Sequence, residues 1–267
     1  MPLRRLLRSS VPDETLAAVA EEVAARYGEP SSAFERLEAN NWLSVPLVVD
    51  DQWFVKVIAD QHSLVHALLT TGRNIGAFSS GTEGFFEHFS TPVEMAEHEL
   101  AATETMRELG VAAPEPKEAF EYDGLGVLVL EYLPEFRTLG ELPPEEIAAF
   151  APALFENLAR MHGADLAHGD LRAENVLVAH DGGEETLYFI DATRVAAIKD
   201  ARAYDLACSL ASLSAHLEAR TAVEAALEHY STEELLAARE FVDFVNMRPD
   251  HDFEAAVVRG EIERAAS

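Results

Sequence analysis

The chain has 267 residues, 48% of them apolar, enough to bury one or two cores. Asp and Glu number 48 against 20 Lys and Arg, a formal net charge of −28, and such a surface repels a phosphate backbone, so direct nucleic-acid binding is not expected. No apolar run reaches membrane-spanning length, Met1–Arg8 has too short an apolar core for a signal peptide, and the single cysteine, Cys208, allows no internal disulfide, all of which points to the cytoplasm.

In chain order, Asp13 reads as the N-cap of an amphipathic helix over 13–27 carrying Leu16, Val19, Val23 and Ala24, ended by Gly28 and Pro30. Residues 33–58 read as three short strands with turns near Asn40-Asn41 and Asp50-Asp51. Residues 59–91 form an insertion broken by Gly72, Gly76, Gly81 and Gly84 and rich in phenylalanine, with a short helix expected around Leu64–Leu69. A helix is expected from Pro92 to Leu109, stopping at Gly110. Two strands joined at Asp123-Gly124 lead to Val127–Leu133. Pro143-Pro144 then open a long helix with Ile147, Phe150, Leu154, Leu158 and Met161 on one stripe. A hairpin turned at Asp181-Gly182 follows, and from about Arg202 the chain reads as helical. Strands first and helices later predict an α+β fold in two lobes. Residues 1–133 would be an antiparallel β-rich lobe with one key helix, and 134–267 a larger helical lobe.

Lys56 lies in Trp53-Phe54-Val55-Lys56-Val57-Ile58, where both strand faces are apolar. Such a lysine needs an anionic partner; it either grips phosphate or reaches solvent from an edge strand. On the helix that follows, Met95, Glu99, Ala102, Met106 and Leu109 share one face, opposite Glu94, Glu97, Glu104 and Glu108. Glu99 is therefore the one acid on the apolar stripe, suited to pairing Lys56 or to snorkelling outward. Farther on, Asp170 and Asn175 stand five positions apart in His168-Gly169-Asp170-Leu171-Arg172-Ala173-Glu174-Asn175, and Asp191 ends the apolar run Leu187–Ile190. A carboxylate that accepts a hydroxyl proton and two oxygen ligands for Mg²⁺ are what phosphoryl transfer asks of a protein. Asp170 suits the first task; Asn175 and Asp191 suit the second. Arg172 either neutralises transferred phosphate or is a surface arginine. Asp205 either caps a helix or holds the backbone of the Asp170 loop.

These residues together resemble the protein-kinase-like superfamily over about residues 33–215, and within it the compact atypical branch that includes RIO kinases, lipopolysaccharide kinases and aminoglycoside phosphotransferases. The resemblance implies an ATP-dependent phosphotransferase with Mg²⁺ (or Mn²⁺). Its base would be Asp170, its metal ligands Asn175 and Asp191, and its phosphate-side ion pair Lys56–Glu99. The linker Glu131-Tyr132-Leu133 would bond the adenine edge. The leading expectation is a RIO-like Ser/Thr protein kinase; a small-molecule or lipid-sugar kinase and a nucleotide- or partner-binding pseudokinase are the alternatives. Three features depart from the family pattern: Leu37–Ser44 has no glycine, the metal tripeptide reads Asp191-Ala192-Thr193, and only fourteen positions separate Asp191 from Asp205. The acidic composition, with Lys56, Lys117 and Lys199 as the only lysines, resembles that of proteins adapted to high salt.

Overall fold

Leu16, Val19, Ala20 and Val23 recur at helical spacing and are fully buried on the inner face of α1 (Asp13–Arg26). Pro12 occupies the N-cap position of this helix, and Asp13 makes no side-chain cap bond, contrary to the sequence expectation. A proline there leaves its carbonyl to accept from Thr15 and Leu16 while Asp13 begins the first turn. This computed structural model describes residues 11–29, 33–37, 44–59, 91–192, 198–248 and 251–267. The expected turn at Asn40-Asn41, the glycine-free segment as far as Leu43, the helix around Leu64–Leu69 and all but the ends of the 59–91 insertion lie outside the described residues.

The described residues fall into two compact units, one from within Met1–Gly72, Glu87–Glu104 and Pro114–Pro134, the other from within Thr105–Ala113 and Glu135–Ser267. The first unit is an antiparallel sheet of β1 (Phe34–Arg36), β2 (Val45–Val49), β3 (Trp53–Ile58), β4 (Pro116–Tyr122) and β5 (Leu125–Glu131) in the order β1-β2-β3-β5-β4. The period of two gives the sheet two apolar faces. Leu47, Trp53, Val55, Val57, Val127 and Val129 pack with α1, whereas Phe54, Ile58, Leu128 and Leu130 pack with Ala96 and Met95 of α2 (Pro92–Glu108). Gly126 on β5 allows α2 to approach closely: a Cβ there would lie 2.1 Å from the Pro92 carbonyl oxygen.

In the second unit, β6 (Arg137–Thr138), β7 (Val176–Asp181) and β8 (Glu184–Phe189) form an antiparallel sheet beside α3 (Pro144–Gly163), α4 (Ile198–Ser214), α5 (Ala219–Leu227), α6 (Thr232–Asn246) and α7 (Ala255–Ala265). Ile147, Leu154, Leu158 and Met161 of α3 are buried as the stripe predicts, and Ala151, Phe155 and His162 join them; Phe150 sits at the margin. The β7–β8 turn is Gly182-Gly183, one residue later than expected, because its two central positions have φ of 60° and 95° and Asp181 completes the ladder opposite Glu184. Cys208 is fully buried on α4, where burial pushes its thiol up to about 12. No helix among the described residues is long and apolar enough to cross a membrane.

Candidate active site

Within the first unit, β3 sets Lys56 opposite Leu128 on the face that α2 covers, so its side chain is almost entirely buried. Its Nζ donates to Glu99 Oε1 at 2.5 Å, with side-chain exposures of 5% and 17%. This is a half-desolvated ion pair, and the edge-strand lysine reading does not fit it. Glu131 is engaged locally: its carboxylate accepts from the Glu115 N–H at 3.0 Å and its own N–H donates to the Glu115 carbonyl at 2.8 Å. Tyr132 N–H donates to the Gln52 carbonyl, while Leu133 is buried and its N–H has no protein acceptor among the described residues. A backbone donor left so is available to a ligand acceptor.

Within the second unit, the loop from Leu166 to Asn175 is built on α4. Asp205, with no exposed surface, accepts from the His168 N–H at 2.5 Å and the Gly169 N–H at 2.8 Å. Asp205 lies well inside α4, so it caps no helix; of its two readings, the structure shows the backbone hold. The same carboxylate meets His162 Nε2 at 3.3 Å, and Tyr230 Oη lies 2.9 Å from His162 Nδ1. Gly169 has φ of 84°, a left-handed conformation that directs the chain toward Asp170 and favours glycine. Burial pushes the His168 imidazole below its ordinary pKa, although the Asp205, Asp170 and Asp191 carboxylates pull it upward.

The loop thus presents Asp170 partly exposed, with 17% of its side chain accessible. Arg172 Nε lies 3.4 Å from Asp170 Oδ2, and its Nη2 lies 3.4 Å from Asn175 Oδ1, so this arginine sits against the loop and is not a solvated surface arm. Asn175 is buried. Its amide donates to the Asp170 carbonyl at 2.8 Å, which turns its oxygen away from that carbonyl. The Asn175 carbonyl in turn accepts from the Ile190 N–H at 3.0 Å, tying the strand end that carries Asp191 to the loop. Asp191 has φ of 60°, a costly conformation of the kind that collects at functional positions. Asn175 and Asp191 offer hard oxygen donors, and Mg²⁺ takes one or two such ligands from protein and the rest from phosphate and water, so the residues present fit that ion. The described residues hold no cluster of three or more His, Cys, Asp or Glu suited to an all-protein metal cage.

Residues 87–206 match the model of the RIO domain. The crystal structure of an aminoglycoside-3'-phosphotransferase of type VIII superposes with a TM-score of 0.51 at 18% identity, covering 86% of this chain and 99% of that one. The fold is protein-kinase-like. The kinase domain of Mycobacterium tuberculosis PknI is also similar, with a TM-score of 0.44 at 12% identity, over 86% of this chain and 94% of that one. No curated protein matches. A RIO-domain match on a kinase-like fold supports a phosphotransferase of the kinase type.

Three residues of this kinase-like unit escape sequence reasoning. His162 left one signal, its place beside Met161 on the buried stripe of α3. Tyr230 and Arg248 left none: Arg248 is buried and reaches Asp170 across 78 positions.

Proposed function

We propose that the chain is an ATP-dependent phosphotransferase acting on an alcohol group, with a Ser/Thr hydroxyl of a protein as the acceptor. The observation that carries this reading is the assembly of Asp170, Asn175 and Asp191 on one loop and strand end, its backbone fixed by buried Asp205. Asp170 orients the attacking hydroxyl and takes its proton; Arg172, beside it, neutralises charge on the transferred group. Asn175 and Asp191 would hold Mg²⁺, which neutralises phosphate charge when bound. Lys56, held by Glu99, grips the nucleotide phosphates, and the Leu133 N–H together with the Glu131 carbonyl receives the adenine edge. The RIO-domain match favours a protein acceptor. The short span from Asp191 to Asp205 favours a second reading, a small hydroxylated acceptor, because it leaves little chain for a peptide-docking platform.

The test is Asp170→Asn. Transfer of labelled γ-phosphate from Mg·ATP, assayed in high salt, should fall ~10²–10⁴-fold, the usual worth of a positioned base, while ATP binding persists. An unchanged rate would refute the catalytic assignment. ATP binding without any transfer in the wild-type chain would make it a pseudokinase.

A further inference from the structure

Arg248 follows the end of α6, is 8% exposed, and donates from Nη2 to Asp170 Oδ1 at 2.6 Å. Its Nη1 bonds the Tyr204 hydroxyl. Tyr204 has no exposed surface and lies against the rings of Phe241 and Phe244 on α6, at 6.1 Å and 5.8 Å between centroids. The guanidinium is thus held on two arms, one by a rigid aromatic side chain and the other by the carboxylate of the candidate base. Arg172 faces the other carboxylate oxygen, Oδ2, at 3.4 Å.

We infer that Arg248 is a positioning residue for phosphoryl transfer: it sets the orientation of the Asp170 carboxylate and takes its own placement from Tyr204. The inference rests on the reading of Asp170 as the base. An aspartate's terminal torsion is soft, whereas a base must stand within hydrogen-bond reach of one particular hydroxyl. Tyr204 and Asp205 are neighbours on α4. Asp205 fixes the main chain of the loop through His168 and Gly169, and Tyr204, through Arg248, fixes the side chain that this main chain presents. A planar fork suits that task better than a point charge, since it locks direction as well as distance.

The experiment follows consumption of labelled Mg·ATP by the full chain, counting γ-phosphate released to water or retained on the protein. Arg248→Met should lower the rate at saturating ATP by ~10–100-fold, the scale of a misplacement of about 1 Å, and leave the half-saturating ATP concentration unchanged. Arg248→Lys should recover part of the loss, and it keeps the buried charge paired if the methionine variant folds poorly. In an Asp170→Asn background, Arg248→Met should cost nothing further. Wild-type rates in Arg248→Met alongside a silenced Asp170→Asn would overturn the inference while leaving the base assignment intact. Equal losses in both backgrounds would reduce Arg248 to a structural role. Full activity of Asp170→Asn would remove the base and Arg248's task with it.

Discussion

Asp205→Ala removes the anchor of the loop that carries Asp170. Its carboxylate, with no exposed surface, takes two backbone N–H bonds, at 2.5 Å from His168 and 2.8 Å from Gly169, and faces His162 at 3.3 Å. Each hydrogen bond to a charged group contributes ~1.5–3 kcal/mol, and each buried N–H left without an acceptor costs ~1–3 kcal/mol. These overlap, because the cost of an orphaned donor is part of what the bond was worth. The expected loss is therefore ~3–5 kcal/mol, the range for breaking a buried charged contact by removing one partner. For a chain of this size, ~1 kcal/mol lowers Tm by roughly 2–4 °C, so the fall should be about 6–20 °C. Thermal melts of both chains at low and at high salt measure it. Because the contacts are buried, salt should raise both curves without closing the gap between them. A fall below about 2 °C, or a gap that vanishes in salt, would refute the anchoring role.

Lys56→Met should weaken ATP binding by about 10–100-fold, the worth of a charged hydrogen bond, and leave adenosine binding unchanged; equal losses by calorimetry would rule out the phosphate contact. Gly126→Ala places a methyl 2.1 Å from the Pro92 carbonyl oxygen, which neither backbone can yield freely, so a loss of ~1–3 kcal/mol in urea unfolding is expected and an unchanged midpoint contradicts the close approach. His168 is held neutral by burial, so below about pH 6.5 the unfolded chain binds a proton that the folded chain refuses. Stability should therefore fall as pH drops through that range, by up to ~1.4 kcal/mol per pH unit from this residue, and His168→Asn should show the shallower slope; parallel slopes would contradict it.

Local pattern alone specified much of the first unit. Alternation through Trp53–Ile58 gave both faces of β3 an apolar character and set Lys56 among apolar neighbours, while the 3.6-residue period of α2 placed Glu99 on its packed stripe. That the two meet at 2.5 Å is the tertiary consequence of those two periodicities. The loop around Asp170 was legible for a different reason: its chemistry is concentrated in eight consecutive residues. What supports that loop was legible only in part. Asp205 reads equally as a helix cap or as a hold on the loop backbone when only the apolar run after it is visible; the structure decides for the hold, because the helix begins earlier, at Ile198, and Asp205 lies inside α4. His162, Tyr230, Tyr204 and Arg248 reach their partners across separations of 43, 68, 44 and 78 positions. Periodicity reports which face of one element is apolar. It carries no information about which distant side chain a buried carboxylate will meet, and that was decided only when α3, α4 and α6 packed around the loop.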